Sequence, residues 1–560
     1  MSASASEKAS STIPPATSEE FPATSPSSPD EEGGEEKREH NFNEQTFYVP
    51  RKQIIAIFLT LGLIDFIALM DQTTLAASLP IIGEKLHAGS QTSLISSAYF
   101  ITSTAFQLLY GRISDIVGRK PLLLSLLALF FIGSLGSSLA DTYAILILFR
   151  AIVGIAGGGI MTVAQIIVSD VVSLRERGKY QGILGALVAV ANGIGPVVGG
   201  ALTTRTENTG GWRNIFRLSL PTSAAGMIGV LIFMPLKKVD GDWRAKARAI
   251  DYLGAFLSLV ASTLIVLGFT WAGGKYDWAS IQVLAPLFVG LATAVLFCLW
   301  QYKGDKPSRP ALMPRKFMRV QRKRGDANAD SSSTVYMFTN ATVCGACITQ
   351  FINGWLFVSQ VYMIPQFYQA VYGYDATKAG LMLIPLTVSQ TITSTVSGLL
   401  ITWTGRYREL LLLGWTLWPT GLGLVSTLNQ HSGMDKQIGY SLLTGVGVGL
   451  TLQPSLIAIQ GAVPRKTMAV VTATRNFVRN LGGAIGLALC GTVVSLYLRS
   501  EPSDPLRANQ RGFRTVFIVL ASLGAAGLIA AALLLKQSSV ERHDDELLRQ
   551  QARHELQQRK

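Results

Sequence analysis

The ten residues GRISDIVGRK, from Gly111 to Lys120, place two arginines, a lysine and an aspartate between two long apolar stretches. Within these ten residues, Gly111 and Gly118 lie seven residues apart. Glycine lets a chain turn tightly, and positive charge collects in short loops at a membrane surface. The stretch therefore predicts a charged turn between two membrane-spanning helices.

The rest of the chain is strongly apolar. Of its 560 residues, 49% are hydrophobic and 15% are charged, whereas soluble domains carry about 25% charged residues. Apolar stretches of about 20 residues, long enough to cross a bilayer core of about 30 Å, recur from Ile54 onward. We predict an all-α polytopic membrane protein in a lipid bilayer, with fourteen transmembrane helices.

The net charge of +14 has a topological interpretation. Lys and Arg are concentrated in alternate loops, on the side of the N-terminus. This is the positive-inside pattern and not a nucleic-acid-binding surface, so no nucleic acid is expected as a partner. The bias predicts that both termini lie in the cytosol.

Composition and an internal repeat divide the chain. Gly398 is followed seven residues later by Gly405 and Arg406, a weakened copy of the charged turn, which predicts two related halves. The first fifty residues are rich in Ser, Pro and Glu, have no apolar signal region and are expected to be disordered. The predicted parts are a cytosolic tail at 1–50, a six-helix half at 51–235, two inserted helices at 251–301, a basic cytosolic loop at 302–336, a second six-helix half at 337–535 and a cytosolic tail at 536–560.

GRISDIVGRK resembles the loop motif between the second and third spans of the major facilitator superfamily. The six-two-six layout resembles its fourteen-spanner drug:proton antiporter family. Four further motifs agree: MDQTTLAASLP at 70–80, LILFRAIVG with the glycines that follow at 146–159, GIGPVVGG at 193–200 and GWRNIF at 211–216. The resemblance, over about residues 50 to 535, implies the major facilitator fold and a transporter driven by the proton gradient, with no cofactor and no enzymatic activity.

The resemblance assigns the charged turn to a cytosolic gate. It places Asp115 near the positive N-terminal end of the eleventh core span, which would begin near Thr467. It pairs Arg119 with Asp170 at the end of the fourth span. Gly111 and Gly118 shape the turn itself. The alternative is that these charges only orient the loop in the membrane.

A proton-coupled carrier needs a titratable group inside the membrane. All five histidines lie in predicted tails or loops, and Asp65 and Asp71 are the only carboxylates deep in a predicted span. At 1.5 Å per residue from the extracellular end, Asp71 lies about 13 Å deep and Arg150 about 9 Å, near enough to interact. We predict that Asp71 couples protons to transport, with Asp65 as the alternative; a static buried ion pair is the competing interpretation.

GIGPVVGG contains Gly195, Pro196, Gly199 and Gly200. Pro196 removes a helix hydrogen bond and the glycines allow a neighbouring helix to approach, which predicts a bend. The resemblance implies that this bend prevents leak and marks exchange. Ordinary close packing explains the glycines equally well.

The span predicted at 337–369 has more polar and aromatic side chains than a lipid-facing helix tolerates. Candidates for a substrate cavity are Gln350, Asn353, Gln360 and Tyr362 in this span and Gln453 in the span at 437–460; interhelical hydrogen bonds or aromatic anchors at the interface are the alternative. Arg475 and Arg479 lie four apart on one helix face and could meet an anionic substrate or the gate. The sequence interpretation favours the gate.

The predicted function is proton-coupled export of an amphipathic drug or secondary metabolite, by a monomer in the plasma membrane. A vacuolar importer of basic amino acids is the alternative, because SDVVSLRERGKYQG at 169–182 resembles fungal members of that group. Such a substrate needs carboxylates in its cavity, and only Asp65 and Asp71 are available. CGAC at 344–347 has no second cysteine pair or nearby histidine, so no metal site is expected. The sequence shows no cluster of His, Glu or Asp near one membrane interface, so no catalytic residue is expected.

Overall fold

The structure, a computed structural model, describes residues 51–88, 92–172, 174–205, 211–234, 251–273, 276–303, 341–463 and 468–537. The predicted tails and the basic loop fall almost entirely outside these ranges. Within them the chain is helical, with no strand beyond one isolated bridge. The predicted all-α membrane protein is confirmed.

The helices follow the order of the sequence motifs. The first six are α1 (Arg51–Lys85), α2 (Thr92–Val117), α3 (Arg119–Ser138), α4 (Tyr143–Val171), α5 (Leu174–Arg205) and α6 (Arg213–Phe233). Two more follow, α7 (Tyr252–Trp271) and α8 (Ile281–Lys303). The remainder are α9 (Ala341–Tyr372), the short α10 (Ala376–Leu381), α11 (Ile384–Thr404), α12 (Arg408–Val425), α13 (Met434–Gly461), α14 (Met468–Ser500) and α15 (Pro505–Leu534).

Eleven spans in the described part of the chain are long and apolar enough to cross a membrane, with α10 and α11 forming one of them. α2, α5 and α12 are not among them. Helices that face other helices need not be apolar on every side, and α2 and α5 lie where the two halves meet. The count of fourteen spans stays a prediction.

Helix pairing in the first six helices recurs in the last seven, when α10 is counted with α11. In the first set, α1 packs on α5 and α6, α2 on α4, and α3 on α4 and α6. In the second set, α9 packs on α14 and α15, α11 on α13, and α12 on α13 and α15. Matched by order, these are the same pairs, as expected of an internal repeat.

The two sets of helices meet along two contacts, which we call seams. The seams are also equivalent by order, because α5 matches α14 and α11 matches α2. α5 packs on α10 and α11, and α2 packs on α14. The inserted α7 lies against both α2 and α14 and covers the second seam, and α8 packs mainly on α7. Thr492 in α14 donates a hydrogen bond of 2.6 Å to the carbonyl oxygen of Ala272, just after α7. The insert is thus attached to both halves.

Gly118 and Lys120 explain the conformation of the charged turn and its attachment to α6. Gly118 has φ of 99°, a backbone conformation that side chains with a Cβ rarely adopt. Lys120 then donates to the carbonyl oxygens of Leu231, at 3.0 Å, and Met234, at 2.8 Å, at the C-terminal end of α6. A cation at this end stabilises a helix because its last carbonyls have no partner within the helix.

Candidate functional site

Asp71 in α1 and Arg150 in α4 form a buried ion pair. Arg150 Nη1 lies 2.6 Å from Asp71 Oδ2, and the side chains are 1% and 0% exposed. The depth estimate from sequence placed these two residues within reach of each other, and the structure brings them into contact. Breaking such a pair leaves a charge buried without compensation, which is strongly destabilising. This geometry is compatible both with a proton-coupled switch and with a static buried ion pair.

Two aromatic rings lie against Arg150, and a glutamine is hydrogen-bonded to one of them. The Arg150 guanidinium carbon lies 5.1 Å from the ring centre of Tyr99 and 5.7 Å from that of Phe216. Gln72 Nε2 donates to the Tyr99 hydroxyl at 2.8 Å. Sequence reasoning missed Tyr99 and Gln72; polar side chains inside apolar spans are the signal that identifies them.

One residue of the second half reaches this group. The Tyr362 hydroxyl in α9 donates a hydrogen bond of 3.0 Å to the backbone carbonyl oxygen of Gln72, the residue after Asp71. Tyr362 is 3% exposed. A movement of α9 relative to α1 therefore acts directly on the segment that carries the ion pair.

Asp71 also borders a small cavity between α1 and α6. Its volume is about 10 Å³, close to what one water molecule needs. Its polar neighbours are Thr74, Ser219 and Thr222. Asp71 Oδ1 has no hydrogen-bond partner among the described residues. The ion pair thus uses one carboxylate oxygen and leaves the other available.

Asp65 lies on a different face of α1. It is 5% exposed, and its Oδ1 has no hydrogen-bond partner within the described ranges. Six residues separate it from Asp71, which turns the two side chains about 120° apart around the helix. Asp65 is a second buried carboxylate, but the structure does not bring it to Arg150.

The charged turn forms a cluster within the first half. Arg119 Nε lies 2.9 Å from Asp170 Oδ2, the contact expected from the sequence. Arg119 Nη1 also lies 2.7 Å from Asp115 Oδ1 and 3.2 Å from Ser114 Oγ. One guanidinium group therefore joins the ends of α2, α3 and α4. We call Asp115, Arg119 and Asp170 the turn cluster.

The turn cluster adjoins the α2–α14 seam through Gly111. A Cβ at Gly111 would lie 3.1 Å from the Ala473 Cβ and 3.2 Å from the Ala469 carbonyl oxygen, so α2 and α14 are in tight contact there. α14 begins at Met468, next to the expected start at Thr467, which lies outside the described residues. The gating role of the cluster stays a prediction.

Arg119→Lys is expected to loosen this end of the α2–α14 seam. Lysine cannot contact two carboxylates in the fixed geometry of a guanidinium group, and losing a hydrogen bond between charged groups costs about 1.5–3 kcal/mol. In a variant without the four native cysteines, labelling of Ala473→Cys by a thiol reagent should accelerate by about tenfold, the ratio that 1.4 kcal/mol produces.

Arg406→Lys is the matched control, because Arg406 occupies the equivalent turn of the second half. Its guanidinium group lies 3.4 Å from Glu409, and its side chain is 69% exposed. Labelling should not change in this variant. Equal labelling in Arg119→Lys and its parent would favour the interpretation that the charges merely orient the loop.

The GIGPVVGG motif lies between the two halves. A Cβ at Gly195 would be 2.0 Å from the Thr73 hydroxyl, and one at Gly199 would be 2.1 Å from the Thr74 carbonyl oxygen, both in α1. On the other side, a Cβ at Gly200 would be 3.0 Å from the Ala376 carbonyl carbon in α10.

Pro196 lies on the same contact with α10. A Cβ at Gly380 would lie 3.0 Å from its carbonyl carbon. Pro196 is inside α5, which continues through it. The motif therefore allows α5 to pack closely on α1 in its own half and on α10 in the other half. Its role in exchange stays a prediction.

The five cavity candidates are all buried, but in different surroundings. Gln360 accepts a hydrogen bond of 2.9 Å from Trp418 Nε1 in α12, the interhelical contact that was its alternative interpretation. Gln350 and Gln453 each have an Oε1 without a hydrogen-bond partner in the described part of the chain. Tyr362 lies at the ion pair, and Asn353 accepts a hydrogen bond of 3.0 Å from Arg479 Nε.

The two arginines of α14 contact α9 and their own helix among the described residues. Arg479 contacts Asn353 and lies 4.9 Å from the ring centre of Phe357, both in α9. Arg475 Nη1 donates to Asn476 Oδ1 at 3.0 Å. None of these contacts involves the turn cluster. The interpretation favoured from sequence, that the arginines belong to the gate, stays a prediction.

A row of amides missed by sequence reasoning crosses the α4–α14 contact. Asn476 Nδ2 in α14 donates to Gln165 Oε1 in α4 at 3.0 Å and lies 3.4 Å from Thr162 Oγ1. Gln107 in α2 donates to the same Thr162 oxygen at 3.0 Å. Amides inside apolar spans are the sequence signal for such interhelical hydrogen bonds.

This architecture defines a class of protein. Two related helical halves that meet over buried charges in a membrane are the arrangement of a secondary transporter. A model of the Major Facilitator Superfamily matches residues 61–487, more than half of the chain. The chain belongs to the major facilitator superfamily, and it is an integral, multi-pass membrane transporter of small molecules, not an enzyme.

Relatives and a solved structure agree with this assignment. "Citrate exporter 1" of Yarrowia lipolytica is 32% identical over 489 residues, covering 87% of this chain and 68% of that protein. "Efflux pump dotC" of Dothistroma septosporum is 32% identical over 438 residues, covering 78% and 71%. The human organic anion transporter MFSD10 shares the fold, with a TM-score of 0.58 and 15% identity over 86% of this chain and all of that one.

Proposed function

We propose that the protein is a proton-coupled antiporter that exports a small amphipathic compound from the cytosol across the plasma membrane. The observation that carries the proposal is the Asp71–Arg150 pair, buried inside the membrane with Asp71 Oδ1 free of any described hydrogen-bond partner. Arginine beside a carboxylate favours the charged form and burial disfavours it. In the proposed mechanism, Arg150 is the partner of the Asp71 carboxylate while the two side chains touch, and a proton takes the place of Arg150 when a movement of the helices separates them.

The contacts around the pair supply a way to link this step to movement of the halves. Tyr362 in the second half donates a hydrogen bond to the backbone of Gln72, and the Gln72 side chain donates one to Tyr99. The ring of Tyr99 lies against Arg150. The halves touch at the Gly111 end and at the Gly200 end of the seams. In alternating access, one of these contacts opens while the other stays closed, and opening at the Gly200 end displaces Tyr362 from Gln72.

The direction of transport and the orientation of the chain in the membrane are inferred from separate observations. The bias of Lys and Arg favours cytosolic termini, which makes the Gly111 end cytosolic. Relatives named as an exporter and an efflux pump favour export. The run that resembles vacuolar basic amino acid importers includes Ser173, which lies outside the described residues, and the side chains of the six residues after it are likewise not described. Arg475 and Arg479 near the middle of α14 disfavour a cationic substrate.

Proton flux in proteoliposomes tests the proposal. The purified full chain is reconstituted with an acidic interior and a trapped pH dye, and lipophilic cations, organic acids, lysine or arginine are added outside. Protein-free liposomes correct for weak acids that carry protons by themselves. An organic compound other than lysine and arginine should make the interior more alkaline. Flux with lysine or arginine alone would assign the protein to the amino acid importers, and no flux with any compound would contradict proton coupling.

A further inference from the structure

Arg475 and Arg479 are two cations inside the membrane, one helical turn apart on one face of α14. Arg475 is 4% exposed, and its Nε has no hydrogen-bond partner among the described residues. Arg479 is partly buried against Asn353 and Phe357. Like charges four residues apart on one face of a helix repel each other. Each is therefore an unfavourable neighbour for the other unless an anion joins them.

The described residues supply no such anion. The partners found for these guanidinium groups are the neutral amides of Asn476 and Asn353 and the ring of Phe357. Among the described residues, no carboxylate oxygen lies 4.0 Å or less from a nitrogen of either arginine, the distance that defines an ion pair. Buried charges in proteins are ordinarily paired, and unpaired ones inside a membrane mark substrate or ion pathways.

The two arginines lie where a central binding site of a transporter is expected, near the middle of the bilayer and between the two halves. Counted at 1.5 Å per residue from Met468, Arg475 lies about 11 Å and Arg479 about 17 Å along α14, near the middle of a core of about 30 Å. Both halves of the chain are adjacent. Asn480, next to Arg479, donates to Ser103 Oγ in α2 at 3.2 Å, and Asn476, next to Arg475, donates to Gln165 in α4.

We propose that Arg475 and Arg479 bind the substrate, and that the substrate is an organic anion carrying one or more carboxylates. This inference rests on the proposed transport function and names its substrate class. Guanidinium groups bind carboxylates with two parallel hydrogen bonds, so two of them suit a di- or tricarboxylate. Phe357 offers an apolar surface beside the charges and Asn353 a fixed hydrogen-bonding group. Binding also removes the repulsion between the arginines.

The first measurement is thermal stabilisation of the purified full chain by citrate, a tricarboxylate, against triethyl citrate, the neutral ester of the same acid. Citrate should stabilise the wild type and the ester should not. Arg475→Gln and Arg479→Gln should each weaken the apparent affinity for citrate by about tenfold or more, since each removes a charged hydrogen-bonding partner. Arg406→Gln, whose side chain is 69% exposed, is the matched control and should bind like the wild type.

Folding is checked in each variant by a single symmetrical peak in gel filtration. Arg479→Lys keeps the charge but loses the two-fold hydrogen bonding, and it provides the measurement if a glutamine variant does not fold. Its affinity for citrate should lie between those of the wild type and Arg479→Gln. Folded variants that bind citrate as tightly as the wild type would overturn the proposal.

Proton flux separates this inference from the proposed function. Citrate binding that depends on the arginines, without proton flux for any compound, supports the anion site and contradicts proton coupling. Proton flux driven only by neutral or cationic compounds supports proton coupling and overturns the anion site. Citrate-driven flux that is lost in Arg475→Gln supports both.

Discussion

Replacing Asp71 by asparagine is expected to abolish proton flux coupled to substrate movement. Asparagine keeps the shape of the side chain but cannot gain and lose a proton. In proteoliposomes with a trapped pH dye, flux driven by the substrate should fall by more than about tenfold, to the level of protein-free liposomes, because the ionisable group that carries the proton in the proposed mechanism is gone. Asp65→Asn should keep most of the flux, since Asp65 does not contact Arg150.

Stability must be separated from coupling in this experiment. Asp71→Asn leaves Arg150 buried without its partner, and breaking a buried pair from one side costs about 3–5 kcal/mol. The double variant Asp71→Asn/Arg150→Gln removes both charges and should recover much of this loss in thermal unfolding. It should still lack proton flux. A stable double variant that moves protons like the wild type would identify the pair as a static one, and loss of flux in Asp65→Asn alone would transfer the role to Asp65.

Gly199→Ala is expected to produce the second large effect, by forcing α5 away from α1. The new Cβ would lie 2.1 Å from the backbone oxygen of Thr74, which cannot move without moving α1. Overpacking of this kind costs about 1–3 kcal/mol. The midpoint of thermal unfolding of the purified protein should fall clearly. Gly491→Ala is the control: no described atom lies within 4 Å of its Cβ position, and alanine favours the helix by about 1 kcal/mol.

Gly200→Ala tests a different contact made by the neighbouring residue. Its Cβ would lie 3.0 Å from the backbone of α10, which belongs to the other half of the transporter. Because the halves separate here during transport in the proposed mechanism, alanine should destabilise the closed contact more than the fold. Labelling of a cysteine at Thr387, which lies against Gly193, should accelerate while the unfolding midpoint stays near that of the wild type. Equal loss of stability in Gly199→Ala and Gly200→Ala would favour ordinary packing for the whole motif.

The sequence was sufficient for the fold class and for two of the important contacts. Hydropathy and loop length require helices that cross a bilayer, because backbone groups have no other partners there. The Arg119–Asp170 contact was expected from the resemblance and the Asp71–Arg150 contact from counting residues along two spans. Both are present. Depth along a helix is readable because every residue adds the same rise.

The partners of side chains within the second half could not be predicted in this way. Gln360 and Asn353 look alike in sequence, as amides in one span, yet Gln360 bonds Trp418 and Asn353 bonds Arg479. Seven residues separate them along α9, nearly two helical turns, so they meet different neighbours. Arg475 and Arg479 were assigned to the gate because the sequence shows their spacing but not the helix that faces them.

What the sequence by itself determined is the membrane-embedded helical architecture, its two-part organisation and the few charges that enter the bilayer, because hydrophobic length and glycine positions are local properties of the chain. Only the tertiary structure decided which charges are compensated. Asp71 and Arg150 neutralise each other, whereas Arg475 and Arg479 face neutral groups among the described residues. That difference depends on which helix faces are opposed, and it is set by the packing of α1 on α4 and of α9 on α14.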